Sequence, residues 1–245
     1  SRIPVALTVA GSDSGGGAGI QADLRTFAFH CVHGTSAVTC VTAQNTLGVT
    51  RVDALPAEAV AAQIEAVVGD IGADAVKTGM LLNREIMVVV ASLVESLNLG
   101  NLVVDPVMVS RSGDRLIDDG AIAFLQDMLI PLAAVVTPNR FEAEILGGLE
   151  IGTVDDMRSA AEKIHSLGAK AVLVKGGGMK GDLRGIDVWF DGTRLDVLKT
   201  ENVDTENTHG TGCTLSAAIA ANLALGKDLF AAVTLAKNYV TNALK

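Results

Sequence analysis

Val5-Ala-Leu-Thr-Val-Ala10, then Gly11-Ser-Asp-Ser-Gly-Gly-Gly-Ala-Gly19, then Ile20 to Phe29 is the stretch whose reading decides the fold. The short apolar run reads as a buried strand, the glycines turn the chain, and the following segment reads as a helix. Strand, glycine-rich loop, helix is the arrangement of many nucleotide sites on α/β sheets. No Gly-Lys-Ser/Thr closes the loop, so it is not a Walker A motif, and the bunched glycines do not match the dinucleotide fingerprint. Two uses for the glycines stay open. They serve close packing, or their bare backbone, starting at Gly11, lets a ligand approach. Asp23 falls about one turn into the helix, facing either that ligand or solvent.

Downstream the same alternation repeats. Thr35–Thr42, Asp74–Thr78, Asn101–Asp105, Ala133–Thr137 and Ala171–Val174 read as strands. Pro56–Ile71, Asn83–Leu97, Asp118–Ile130, a segment capped by Asn139, Thr153–Leu167 and a last segment from Asp228 to Leu244 read as helices. Gly185–Phe190, Asp191-Gly192 and Thr193–Leu198 carry a hairpin signal. The expectation is an α/β single domain over 1–245: a mostly parallel central sheet, helices on both faces, an antiparallel edge hairpin. Ligands bind beyond the carboxyl ends of strands in such sheets. Gln44, Met80, Asp105, Asn139 and Lys175 all lie at or just past such ends.

The bulk numbers fit. The chain has 245 residues, 49% of them hydrophobic, with 3% aromatic and a net charge of −9. The acidic balance argues against nonspecific nucleic-acid binding, which needs a basic face. Three cysteines at wide spacing argue against a disulfide framework and for a reducing compartment. No signal peptide and no apolar run of membrane-spanning length is visible, so a cytoplasmic protein is expected.

Asn207-Thr-His-Gly-Thr-Gly-Cys-Thr214 precedes the apolar run Leu215–Leu225. Glycines around Thr211 at a helix start describe an anion hole, because unpaired N–H groups and the positive end of the dipole coincide there. Thr208, Gly210, Thr211 and Gly212 belong to it, and Cys213 sits where the dipole favours a thiolate. Lys175, ending an apolar strand beside three glycines, suits a phosphate better than a snorkelling surface role. Asp105, after a buried strand and before Pro106, and Glu142 are candidate Mg²⁺ carboxylates, although Glu142 also suits a first helical turn for dipole reasons alone. Gln44 offers donor and acceptor to a heterocycle, or simply caps a turn. Ser110–Leu116 reads as a flap. The parts match phosphoryl transfer, with Cys213 as base.

The chain resembles the ribokinase superfamily, and within it the hydroxymethylpyrimidine/phosphomethylpyrimidine kinases. The resemblance rests on Ala10–Asp23, Ala37–Thr46, Lys77-Thr-Gly-Met80, Asp105-Pro-Val-Met108, Thr137-Pro-Asn139, Val174-Lys-Gly-Gly177 and Thr208-His-Gly-Thr-Gly-Cys-Thr214. It implies a ribokinase-like three-layer sandwich and ATP- and Mg²⁺-dependent phosphorylation of a pyrimidine alcohol and then of its monophosphate. It implies that Gln44 and the Val41–Thr42 backbone read the pyrimidine edge, that Asp23 binds the hydroxymethyl group and that Met80 and Val107 wall the ring. Lys175 would hold phosphate, Asn139 and Glu142 would serve nucleotide and metal, and Gly210 to Cys213 would form hole and base. It also implies a homodimer. Departures fall at Arg140-Phe141, Ser110-Arg111-Ser112 and Gly178-Met179. Rivals are a pyridoxal kinase with the same machinery, a non-catalytic binder, and a zinc protein using His30, Cys31, His33 and Cys40.

Overall fold

The first apolar run continues as strand well into the glycine-bearing segment: β1 is Val5–Asp13. The computed structural model describes residues 2–109, 115–176, 183–200 and 211–243. α1 (Gly19–Phe29) returns the chain to β2 (His33–Gln44), which lies parallel to β1 from Val5↔His33 to Asp13↔Thr42. The register slips between Ala10 and Ser12, at Gly11.

Then follow β3 (Val49–Ala54), α2 (Ala57–Asp70), β4 (Ala75–Thr78), α3 (Arg84–Ser96), β5 (Leu102–Val104), α4 (Asp119–Phe124), β6 (Val135–Val136), α5 (Arg140–Gly147) and α6 (Val154–His165). β7 (Ala171–Val174), β8 (Ile186–Phe190), β9 (Leu195–Lys199), α7 (Thr211–Ala224) and α8 (Leu229–Ala243) complete the order. The strands form one sheet, β3-β2-β1-β4-β5-β6-β7-β8-β9. β2, β1, β4, β5, β6 and β7 are parallel to one another, as the strand–helix alternation requires.

The sheet separates two cores. Phe27 of α1, Leu215 and Ile219 of α7 and Val233 of α8 pack on one face. Val60 and Ile64 of α2, Ile86 and Val90 of α3, Leu146 of α5 and Met157 of α6 pack on the other. Three layers result, with the sheet buried on both sides. Among the described residues no helix is long and apolar enough to cross a membrane.

Two expectations need correction. The antiparallel hairpin β8–β9 forms as its Asp191-Gly192 turn predicts, with Gly192 at φ +94 and Asp191 Oδ1 accepting from the Thr193 and Arg194 N–H groups. The opposite edge, however, is antiparallel too: β3 pairs with β2. Its six residues are all exposed, so no alternation of apolar and polar residues marked it. The segment 118–130, expected as one helix, is α only through Phe124. It widens into a π-helical turn at Leu125–Leu129 and tightens into a 3₁₀ turn at Ile130–Leu132. Pro131 has no N–H for the Asp127 carbonyl, so the α ladder cannot continue there.

The glycine-rich loop owes its composition to packing. Gly19 has φ +59, and a Cβ there would stand 2.3 Å from the Gly11 carbonyl oxygen. α1 thus starts against the bulge in β1, where no side chain fits. Gly19→Ala is expected to lose about 3 kcal/mol or more, combining left-handed strain with overpacking. Urea titration checks this; a midpoint equal to that of the parent would show that the loop relaxes freely.

Candidate active site

The parallel strands deliver their last residues to one edge in sheet order: Gln44 from β2, Asp13 from β1, Thr78 from β4, then Asp105, Asn139 and Lys175 just past β5, β6 and β7. β2 and β7 are five strand spacings apart, about 24 Å. That span accommodates two substrates end to end.

At the β2 end, Ser14 ties the glycine loop down. Its hydroxyl donates to the Gln44 carbonyl at 2.6 Å and accepts from the Gln44 N–H at 2.7 Å. Thr42 Oγ1 lies 2.8 Å from the Ser12 carbonyl and 3.0 Å from Gln44 Oε1. Val41 is half exposed. Gly11 packs against Cys40 and Met80: a Cβ on it would meet Cys40 Sγ at 2.8 Å and the Met80 methyl at 3.3 Å. The loop's N–H groups are already engaged. Asp13 accepts from Gly15, Gly17 and Ala18 at 2.8, 3.0 and 2.8 Å. A carboxylate therefore occupies the donors that a phosphate would need. Of the two uses left open for the glycines, packing accounts for Gly19.

In the middle of the edge, Asp23 is buried and meets Lys77, a residue that sequence reasoning left without a role. Lys77 Nζ stands 2.9 and 2.8 Å from the two carboxylate oxygens, and Thr8 donates to Asp23 Oδ2 at 2.6 Å. Both side chains of the ion pair are fully buried. Burial pushes the Asp23 carboxyl up, and Lys77 and Thr8 oppose that. Asp23 thus does not face open solvent; it balances a buried ammonium. The available signal was Lys77 itself, a charge inside the apolar strand Ala75–Thr78.

α7 starts at Thr211, so Gly212 and Cys213 occupy its first turn, where backbone N–H groups lack intrahelical partners. The expected lowering of the thiol by the dipole is overturned. Burial dominates and pushes the Cys213 thiol up, helped by Asp23 and Asp105, while Lys77 and the Gly19 N–H pull it down. Thr208 and Gly210, like Ser110, Arg111, Ser112, Gly178 and Met179, lie outside the described residues.

At the β5–β7 end, Asp105 is buried, and Lys175 Nζ stands 3.7 Å from its Oδ1. Ser216, another residue not singled out from sequence, lies with its hydroxyl 3.3 Å from Asp105 Oδ2 and 3.1 Å from the Cys213 carbonyl, linking α7's start to β5. A Cβ on Gly212 would be 3.3 Å from Lys175 Nζ. Asn139 caps α5: its side chain accepts from the Glu142 N–H at 2.9 Å, and Glu142 Oε1 accepts from the Asn139 N–H at 2.9 Å. Glu142 does more than cap, because it is 3% exposed and its other oxygen accepts from Met108 at 3.3 Å. Burial and the neighbouring Asp105 raise its carboxyl to about 7, against Lys175 and two backbone N–H groups. For Lys175, burial is outweighed by Asp105, Glu142, Cys213 and Asp187, and the ammonium is held above its ordinary range. Val107 is half-buried beside this group, its N–H bonded to the Asp105 carbonyl at 2.9 Å.

Two buried carboxylates facing one ammonium leave a negative excess made of hard oxygen donors. Thr137, at the end of β6, adds a buried hydroxyl without a partner among the described residues. That donor set fits Mg²⁺, which takes one or two carboxylates and fills its remaining positions with water and phosphate oxygens. Among the described residues no group of three His, Cys, Asp or Glu side chains is placed to hold a metal, so neither a zinc centre nor a caged ion is built there.

Comparison with known proteins agrees with this geometry. The family model for phosphomethylpyrimidine kinase matches residues 13–245. A hydroxymethylpyrimidine/phosphomethylpyrimidine kinase from Synechococcus elongatus is 60% identical over 243 residues, covering 99% of this chain and 92% of that protein. The crystal structure of phosphomethylpyrimidine kinase from Clostridium difficile superposes with TM-score 0.89 at 45% identity, covering 100% of both chains. A pyridoxal kinase from Staphylococcus aureus in complex with AMP-PCP and pyridoxal superposes with TM-score 0.92 at 37% identity, covering 100% of this chain and 89% of that one.

The Glu142 carboxyl makes metal-free stability depend on pH. Unfolded, it ionises near 4.5; folded, near 7. Between these values the folded protein holds a proton that the unfolded chain has lost, so raising the pH favours unfolding. Stability from this group is full below 4.5 and is lost as pH rises to about 7, on the order of 3 kcal/mol in all. Urea midpoints in EDTA should fall over that window in the parent and less in Glu142→Gln. Parallel profiles would show that Glu142 ionises normally.

Proposed function

Because the chain belongs to the phosphomethylpyrimidine kinase family, we propose that the carboxyl edge of its sheet moves the γ-phosphoryl group of ATP onto a pyrimidine alcohol. The acceptor is 4-amino-5-hydroxymethyl-2-methylpyrimidine and then its monophosphate, giving the diphosphate used in thiamine diphosphate biosynthesis. The observation that carries this is the convergence of Lys175 and the first turn of α7 on Asp105 and Glu142. When bound, MgATP would supply the phosphoryl group and a divalent charge to offset that of the phosphates.

The chain's own groups divide the remaining work. Asp105 and Glu142 hold the metal, directly or through water. Lys175 neutralises phosphate charge. Asn139, Thr208 and Gly210 serve the nucleotide, and the N–H groups of Gly210, Thr211, Gly212 and Cys213 surround the group in transfer. Cys213 takes the proton of the acceptor hydroxyl. Its thiol, raised by burial, depends on Lys77 to hold the charge that results. Gln44, Thr42 and the Val41 backbone read the ring edge at the β2 end, Met80 and Val107 wall the ring, Gly11 lets it approach, and Asp23 orients the hydroxymethyl group.

A second reading, a pyridoxal kinase with the same machinery, draws on the likeness to the Staphylococcus aureus enzyme. Parallel product assays with the pyrimidine alcohol, its monophosphate and pyridoxal separate the two, and preference for pyridoxal would sink the first. The cytoplasm is the assigned compartment, in keeping with three free cysteines. A homodimer is assigned through the β2–β3 hairpin, whose Val41, Leu47, Val49 and Val52 are 50%, 95%, 50% and 44% exposed. Val49→Lys with Val52→Lys should halve the mass measured by light scattering; an unchanged mass would exclude that surface.

Cys213→Ala should lose turnover by roughly 10²–10⁴-fold, the range for a general base, while keeping nucleotide affinity by calorimetry. Near-normal turnover would remove the thiol from the mechanism. Gln44→Ala should raise the KM for the pyrimidine and leave that for MgATP alone; the reverse pattern would contradict its placement at the acceptor end.

A further inference from the structure

A second buried ion pair lies behind Lys175, outside the machinery assigned above. Asp187 is on β8 and Lys237 is on α8, and Lys237 Nζ stands 2.9 Å from Asp187 Oδ2. Both residues are buried. The other carboxylate oxygen, Asp187 Oδ1, accepts from the N–H of Gly176 at 2.9 Å. Gly176 directly follows Lys175, and it is wedged: a Cβ there would be 2.1 Å from the Ile186 carbonyl oxygen and 2.6 Å from that of Leu183. On the other side, the Lys175 N–H bonds the Pro138 carbonyl at 2.9 Å. The backbone of Lys175 is thus clamped before and after the residue.

We propose that Asp187 and Lys237 are a positioning pair for Lys175: Asp187 anchors the backbone at Gly176, and Lys237 keeps the Asp187 charge from drawing the Lys175 ammonium away from Asp105. The inference rests on the phosphate-directed role given to Lys175. Two acids compete for that ammonium. Asp105 faces α7 through Ser216, on the transfer side. Asp187 lies on the β8 side and also attracts Lys175. Lys237, which reaches the Leu198 carbonyl at 3.3 Å as well, satisfies Asp187 from behind. With Asp187 neutralised, Lys175 is left to Asp105 and to phosphate. Without Lys237, a buried carboxylate one residue from Lys175 would hold the nearest unpaired negative charge.

The test is steady-state kinetics of Lys237→Met and of Lys237→Met/Asp187→Asn, with MgATP and the pyrimidine alcohol varied separately and thermal melts run alongside. Lys237→Met should raise the KM for MgATP and lower kcat, each about tenfold, as a displaced catalytic group does, with the KM for the alcohol unchanged. The double variant should recover most of both, because the Asn carbonyl still accepts from Gly176 while the charge is gone. A purely structural pair would lower the melting temperature in both variants without that split or that recovery, and this result would overturn the proposal. Where Lys237→Met alone fails to fold, the double variant still decides: near-parental MgATP kinetics are expected, and a tenfold rise in KM would overturn the idea. Lys175→Met, measured in parallel, separates the two levels. Parental MgATP kinetics in that variant would overturn the role of Lys175 and this pair with it. A damaged Lys175→Met beside an undamaged Lys237→Met would overturn the pair alone.

Discussion

The buried charges along the carboxyl edge do not cancel, and the site is built on the remainder. Asp23 is matched by Lys77 and Asp187 by Lys237, each pair within hydrogen-bonding distance. Asp105 and Glu142 then share one ammonium, that of Lys175. An unmatched buried carboxylate is costly, and proteins resolve it by protonation or by a bound cation. Glu142, raised to about 7, shows the first resolution in the isolated chain. In the proposed function, a divalent ion arriving with the nucleotide would provide the second. In that reading, the same surplus that weakens the empty fold would be an affinity for metal on the strands proposed to receive phosphate.

The two closed pairs matter for where that surplus falls. Lys77 lies on β4, between the acceptor end at β2 and the phosphate end at β7. Its partner Asp23 comes from α1, so the glycine-rich turn that starts α1 also sets the charge balance beneath Cys213. The glycines serve that turn by close packing at Gly19 and Gly11, while Asp13 takes the loop's own N–H groups. A loop that looks made for phosphate is therefore internally satisfied, and the free donors belong to α7.

The architecture was readable because β5 and β7 are continuous apolar runs, as is most of β1, and helices such as α3 and α6 have a 3.6-residue stripe. The sequence marks Asp105, Asn139 and Lys175 for the same reason: a polar residue ending an apolar run has one place to go. The parts that escaped share a physical cause as well. β3 buries neither face, so it leaves no pattern; the widened turn at Leu125–Leu129 keeps the helical stripe and hides in it. Lys77 sits within a quoted motif, but its role appears only when Asp23, 54 residues away, is brought beside it. Cys213 was expected to ionise easily at a helix start, a local effect, whereas burial by distant segments is the larger influence.

The sheet order also explains how kinases acting on different rings share one frame. The groups proposed to handle phosphate stand just past β5, β6 and β7 and at the start of α7; the candidate ring contacts stand on β2 and just past β4. About 24 Å separates the extremes, and the Lys77–Asp23 pair stands between them. With the proposed roles, changing which ring is accepted would call for substitutions near Val41, Gln44 and Met80 and would leave the charge balance at Asp105, Glu142 and Lys175 alone. A pyridoxal kinase that keeps the whole chain trace at 37% identity, TM-score 0.92, fits that separation. In the proposed function, ring choice is an end-of-strand property of β2 and β4, while phosphoryl transfer draws on the whole edge.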